Sequence, residues 1–216
     1  MLLAAFSRSR EDISVSLCGL RGCYHYTNEI EQGQDEKCPF CRSPSNLSEE
    51  QHTKCLMERA EVNCPVALRQ LGVIAHLEGR HAEAVKYLKR SVDSGDIDAN
   101  YQIAFMYAAG RGVEKDDKKR ITHMKTAAIG GHPGARLDLA PIEIRNNRLD
   151  RAIKHMAIAA KLGDEAGIKG MKAYYELGMV KKEVFAEALR GYQTAVDATK
   201  SPQREKAREH FKEIFR

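Results

Sequence analysis

The sequence predicts an all-α protein, in which helix pairs stack into an α/α superhelical solenoid behind a small cysteine-containing segment. The first observation is a repeated unit: a helix, a tight turn, a second helix, then Ala-Ala-x-x-Gly or a close variant. The closing glycines Gly95, Gly131 and Gly163 stand 36 and 32 residues apart. Periods of this length indicate a solenoid, because one helix pair cannot bury its own apolar face and neighbouring pairs must stack. The second observation is that residues 65–200 contain no cysteine, whereas four of the six cysteines lie in residues 1–45.

The composition and charge of the chain exclude several classes of partner and location. The net charge of +5 is spread along the chain without a basic stripe that carries interleaved aromatics, so no nucleic-acid partner is predicted. The apolar start, residues 1–6, is too short for a signal-peptide core or a membrane span. We therefore expect an intracellular protein, cytoplasmic or nuclear, with no membrane partner. Cysteines stay reduced in those compartments, where a cysteine cluster suggests a metal before a disulfide.

Local signals divide the chain into four parts. The Ser48-Glu49-Glu50-Gln51 motif reads as a capping box at the start of a joining helix, which should run from Glu49 to Val62 and end before Pro65. Ser201-Pro202 has the signature of a helix start, with serine as the N-cap and proline in the first turn. The predicted parts are a cysteine-containing segment, a joining helix, the repeats and a C-terminal capping helix: 1–45, 46–64, 65–200 and 201–216.

The repeats differ in their turns. The second repeat has a longer turn, in which Gly110 can take a left-handed helix end, Gly112 opens the turn and Asp116 can cap the next helix. The third repeat lacks these extra residues, which explains its shorter period. The fourth is weaker and predicts helices over 166–177 and 184–199, with Gly178 as a stop.

A family resemblance rests on the second repeat. That repeat closely resembles the Sel-1-like repeat, a relative of the tetratricopeptide repeat, through the pattern Ala99-x3-Ile103-Ala104-x2-Tyr107-x2-Gly110-Arg111-Gly112-Val113-x2-Asp116-x10-Ala127-Ala128-x2-Gly131. The resemblance covers about residues 65–200. It implies a right-handed α/α superhelix with an adaptor or scaffold role, and it supplies no catalytic residues.

Two residues depart from the repeat pattern. Arg120 stands where the repeat has a small alanine, and because a buried unpaired arginine is costly we expect its head group to reach outward. Pro141 lies inside the first helix of the third repeat, where a proline costs about 3 kcal/mol at a regular interior site. A kink or a broken helix is therefore predicted at Pro141. Both departures suggest relaxed constraint on these copies.

The N-terminal segment resembles part of a RING-type finger. Cys38-Pro39-Phe40-Cys41-Arg42 is similar to the last ligand pair of such a finger, while residues 1–17 contain neither cysteine nor histidine for a first pair. The resemblance therefore implies a degenerate finger or one truncated at its N-terminal side. It also implies that Arg42 can contact a ubiquitin-conjugating enzyme.

The cysteines themselves are candidate zinc ligands. Structural zinc takes four sulfur or nitrogen ligands in a tetrahedron, and a Cys-x2-Cys pair spans one edge of it. Cys38 and Cys41 form that pair, and Cys18 and Cys23 can form the opposite edge, with His25 as a substitute. One structural zinc ion is the predicted cofactor. The alternative is a remnant whose thiols bind nothing.

The predicted function is a protein-interaction scaffold or adaptor that holds a partner protein or peptide on the solenoid surface, along the first helix of each repeat. The alternative is a ubiquitin ligase or ligase subunit, in which the repeats select the substrate and the finger recruits the conjugating enzyme. No phosphate-binding loop, nucleophile motif or paired carboxylates appear, so no catalytic or cofactor-binding residue is predicted.

Overall fold

A computed structural model describes residues 48–201, and every helix or strand assigned within this range is an α-helix. The helices are α1 (Glu49–Glu61), α2 (Pro65–Leu77), α3 (His81–Asp93), α4 (Ile97–Ala109), α5 (Asp117–Ile129), α6 (Pro133–Arg145), α7 (Leu149–Lys161), α8 (Glu165–Glu176) and α9 (Lys182–Thr199). The predicted all-α solenoid is confirmed for this part of the chain.

The helices pack as pairs that stack along the chain. The pairs α2 with α3, α4 with α5 and α6 with α7 make the most extensive contacts, and each pair also packs on the next. Helix α1 packs on α2, and α9 packs on both α7 and α8. Contacts therefore run between near neighbours in sequence, as expected of a solenoid.

The core is a row of small apolar clusters, each shared by consecutive helices. The four clusters are centred on Leu56 and Leu68, on Leu88 and Ile103, on Met124 and Leu139, and on Met156 and Met171. The alanines of the repeat motif are fully buried in these clusters, because a methyl group lets neighbouring helix backbones approach closely.

The predicted helix starts at Ser48 and Asp116 are confirmed. The backbone amide of Gln51 donates to Ser48 Oγ at 3.3 Å, and the Ser48 amide donates to Gln51 Oε1 at 3.0 Å, which completes the capping box. Asp116 accepts from the amides of Lys118 and Lys119, both at 2.9 Å, at the start of α5. The joining helix ends at Glu61, one residue earlier than predicted.

The predicted break at Pro141 is wrong. Helix α6 runs from Pro133 to Arg145 with Pro141 inside it. Pro141 is exposed and lies in the second half of the helix, so the ring removes one backbone donor without entering the core.

Several predictions concern residues that the structure does not describe. Segment 1–45, with the candidate ligands Cys18, Cys23, Cys38 and Cys41, lies outside the described residues, as does the C-terminal helix from Pro202 onward. Among helices α1 to α9, none combines the length and the apolar character needed to cross a bilayer.

Candidate functional site

A cavity of about 670 Å³ opens where the second and third repeats meet. Its walls come from the C-terminal half of α4, the turn after α4, the N-terminal part of α5 and the second half of α6, with His76 of α2 at one edge. Three of these elements, α2, α4 and α6, are the first helices of their repeats. The cavity therefore lies on the helices from which the sequence predicts partner binding. We refer to it as the inter-repeat groove.

The apolar part of the inter-repeat groove comes from three helices. It is lined by Phe105, Met106, Ala108 and Ala109 of α4, Met124 of α5, and Pro141 and Ile142 of α6. Met106 and Met124 are also core residues with 2% exposure each, whereas Ala109 is exposed. The Phe105 ring packs edge-on against Tyr101, with ring centroids 4.8 Å apart. The groove thus has a firm apolar base that is continuous with the hydrophobic core.

The long turn between α4 and α5 places Arg111 at the groove. Gly110 and Gly112 both have positive φ, at 66° and 70°. A Cβ atom on Gly112 would lie 2.2 Å from the backbone oxygen of His81, so this turn is pressed against the start of α3. The Arg111 amide donates to the Met106 carbonyl at 3.1 Å, which holds the turn to the end of α4.

The Arg111 guanidinium lies beside a histidine. Arg111 Nη1 is 3.4 Å from His76 Nε2, and the His76 and His81 rings are 4.9 Å apart. Burial lowers the pKa of His76, and the nearby His81 and Arg111 lower it further. His76 is therefore neutral at neutral pH and leaves the charge of Arg111 uncompensated.

Arg120 reaches the groove from the first turn of α5. Its side chain is 18% exposed, and its Nε donates to Asp117 Oδ1 at 2.9 Å. Asp117 is largely exposed, so the guanidinium is paired toward the solvent side. The cost expected for an unpaired arginine at this position is thereby avoided.

Asp138 in the wall of α6 is held by an aromatic pair. The Tyr101 hydroxyl donates to Asp138 Oδ2 at 2.9 Å, and the Tyr101 ring stacks on His132 with centroids 4.0 Å apart. His132 Nδ1 in turn accepts the Ala135 amide at 3.1 Å and caps α6. Burial raises the pKa of Asp138 and, together with the adjacent carboxylate, that of Tyr101. These contacts fix the geometry of the wall.

Nothing in the described residues tests the sequence-predicted zinc ligands. Cys18, Cys23, Cys38 and Cys41 lie outside the described residues, and their prediction as zinc ligands remains a prediction. Within residues 48–201, no group of three or more histidine, cysteine or acidic side chains is arranged to hold a metal ion.

Sequence reasoning did not find the groove, although it singled out three of its features. Arg120 and Pro141 were recognised as departures from the repeat, and the long turn that carries Arg111 as part of the repeat pattern; all three line the inter-repeat groove. Relaxed constraint is the interpretation that the sequence alone suggests for Arg120 and Pro141. Their shared position at the groove comes from packing between repeats, so the sequence alone carries no signal that joins them.

Comparison with known proteins identifies the fold. No family model matches the chain, and no curated protein sequence is significantly similar to it. A protective antigen present in uropathogenic Escherichia coli strains, which displays an SLR (Sel1-like repeat) fold, matches with a TM-score of 0.57 and 18% identity. The match covers 85% of this chain and 39% of the antigen. The chain has the Sel1-like repeat fold.

A second solved structure has a similar sequence over a shorter range. The Sel1 repeat protein from Oxalobacter formigenes is 26% identical to this chain, with a TM-score of 0.48. The match covers 55% of this chain and 95% of the Oxalobacter protein.

Proposed function

We propose that this chain is a protein-interaction module, and that its inter-repeat groove binds a short segment of a partner protein. The cavity between α4, α5 and α6 carries the proposal, because it exposes apolar surface on helices of a repeat fold suited to gripping extended ligands. Its volume of about 670 Å³ lies within the range of pockets that enclose most of a small ligand or a few side chains.

The ionisable groups of the groove fit binding better than catalysis. Asp117 is paired with Arg120, and Asp138 accepts the Tyr101 hydroxyl. Each carboxylate is thus held in a structural contact, and the Tyr101 hydroxyl beside Asp138 has a raised pKa, which makes it a poorer nucleophile. The groove offers a ligand apolar surface, whose removal from water favours binding, and a charged rim.

A display experiment tests the proposal. Random peptides are selected for binding to the purified full-length chain, and the affinity of each selected peptide is measured by fluorescence polarisation. The variant Ala109→Trp places a large ring in the groove from an exposed position at the end of α4. The matched control is Ala173→Trp, the same change at an exposed alanine of α8 outside the groove.

We expect the groove variant to weaken peptide binding by about tenfold or more, the scale of a filled central pocket, while the control binds as the wild type does. Circular dichroism establishes that both variants remain helical. Peptides that bind both variants equally well would show that the groove is not the interaction site.

The ligase alternative stays a prediction. It depends on Cys38, Cys41 and Arg42, which lie outside the described residues, and no contact within residues 48–201 favours it. The proposed single zinc ion depends on the same segment. Neither enters the argument for the groove.

A further inference from the structure

We infer that the inter-repeat groove selects acidic peptides, in which an apolar side chain is flanked by aspartate or glutamate. The inference rests on the proposed function and adds the chemistry of the partner. Its basis is an imbalance of charge at the groove: among the described residues, four cationic side chains line it, against two carboxylates.

The two carboxylates are already engaged within the chain. Asp117 accepts from Arg120 Nε at 2.9 Å, and Asp138 accepts from the Tyr101 hydroxyl at the same distance. Asp117 thereby neutralises Arg120. Neither carboxylate is paired with any of the other three cationic side chains of the lining.

Those three are Arg111, Lys115 and Arg145, and each is exposed. None of them forms an ion pair with a carboxylate in the described part of the chain. The described neighbour of Arg111 is His76, which is neutral at neutral pH. The rim therefore offers three positive charges that a ligand can neutralise.

Exposed cations elsewhere on the described surface differ in their pairing: Lys125 and Lys154 form no ion pair among the described residues, whereas others do. The three cations of the rim are distinguished by their place beside an apolar cavity. Lys161 is paired with Glu187 at 2.5 Å, and Lys169 with Glu165 at 2.8 Å. Such exposed pairs are weak in water, but ion pairs gain strength when a bound ligand excludes solvent. A carboxylate that binds beside the apolar base of the groove meets that condition. Its neighbouring apolar side chain would cover Ala109 and Ile142, which also line the groove.

An acidic peptide fits better than a nucleic acid. The apolar base of the groove, which includes Ala109 and Ile142, suits an apolar side chain of a peptide and offers no contact that favours a sugar-phosphate backbone. Binding of single strands also relies on aromatic faces on which bases stack. Apart from His76, the aromatic ring that the described residues place in the groove lining is Phe105, and its edge contact with Tyr101 holds it in the wall.

The test uses the peptides that the display experiment selects on the full-length chain. We expect them to be rich in aspartate and glutamate around an apolar residue. The double variant Arg111→Glu with Arg145→Glu should weaken their binding by about tenfold or more, because attraction becomes repulsion. The double variant Lys125→Glu with Lys154→Glu makes the same change in net charge at exposed positions outside the groove and should bind normally. Lys115→Glu, a single change in the exposed turn, provides a second groove variant should the double one unfold.

Salt dependence provides an independent readout. Raising the ionic strength to about 1 M shortens the screening length to about 3 Å and should weaken binding of the wild type several-fold, with a smaller effect on the charge-reversed variant.

The remaining outcomes separate the two proposals. If the selected peptides are neutral or basic and bind Ala109→Trp weakly, the acidic preference is overturned and the groove remains an interaction site. Both proposals would be overturned if the selected peptides bound Ala109→Trp and the charge-reversed variant as tightly as the wild type, or if no peptide were selected. A fluorescent single-stranded oligonucleotide that binds the wild type and loses binding with the charge reversal at Arg111 and Arg145 would assign the groove to nucleic acid and contradict the inference.

Discussion

Replacing Gly112 by alanine tests how the long turn is held against α3. The backbone at Gly112 has φ of 70°, a left-handed conformation that costs an L-residue about 1–2 kcal/mol. A Cβ atom would also lie 2.2 Å from the His81 carbonyl oxygen and 2.8 Å from the Ala82 nitrogen. Both neighbours are backbone atoms, so the turn itself must move by about 1 Å, and overpacking of this kind costs about 1–3 kcal/mol. We therefore expect Gly112→Ala to lower the free energy of unfolding by about 2–5 kcal/mol in total.

The chain contains a matched control at Gly178. Its φ of 71° is nearly the same, but no atom lies within 4 Å of the position that a Cβ would take. Gly178→Ala should therefore cost only the backbone part, about 1–2 kcal/mol. The gain from a less flexible unfolded chain is the same for both variants and cancels in the comparison.

Urea denaturation of the full-length chain, followed by circular dichroism, measures the difference between the two variants. Equal destabilisation would refute the argument that backbone packing holds the turn. Because the same turn carries Arg111, Gly112→Ala should also weaken binding of acidic peptides, whereas Gly178→Ala should not.

Four further changes have defined outcomes. Pro141→Ala should raise the free energy of unfolding by about 1–3 kcal/mol, because it restores one helix hydrogen bond. Urea denaturation measures this difference. Asp116→Ala should lower the melting temperature at neutral pH. Backbone hydrogen bonds from Lys119 and Lys118 hold the pKa of Asp116 below its ordinary value. This stabilisation is therefore lost as pH falls through the folded-state pKa, and the gap to the wild type should then close. Tyr101→Phe should raise the pKa of Asp138 further, as measured by NMR titration, because it removes a bond to the carboxylate. Finally, the full-length chain should carry about one zinc ion by elemental analysis, and serine at both cysteines of the Cys-Pro-Phe-Cys motif should remove it while the repeats stay folded.

Each of these has an outcome that contradicts it. Unchanged or lower stability of Pro141→Ala would mean that the surrounding structure has adapted to the proline. If Asp116→Ala remains less stable than the wild type in acid, the charge of the Asp116 carboxylate is not the cause of the difference in stability. An unchanged pKa of Asp138 would argue against the hydrogen bond, and metal-free protein would leave the cysteine segment as a remnant without zinc. Robust ubiquitin transfer that the double serine variant abolishes would promote the ligase alternative.

The sequence by itself determined the repeat architecture and where individual helices begin. The period of the alanine-glycine motif predicted the solenoid, since each helix pair needs neighbours to bury its apolar stripe. The capping box at Ser48 and the cap at Asp116 were predictable because each depends on residues within one turn of the chain. At these two helix starts the stabilising hydrogen bonds join residues within three positions of each other, so a few adjacent residues determine them.

The tertiary structure alone decided the site. Arg111 and Arg145 come from different repeats, and only the stacking of α6 on the pair α4 and α5 brings them to one groove. Local reasoning predicted a kink or break at Pro141, and the break is wrong because α6 continues through this exposed position. The same reasoning could not connect Pro141 with Arg120, because their shared position depends on packing between repeats. A binding surface on a solenoid is formed by residues of several repeats. The pattern within one repeat therefore predicts the fold, whereas the groove depends on how the repeats pack together.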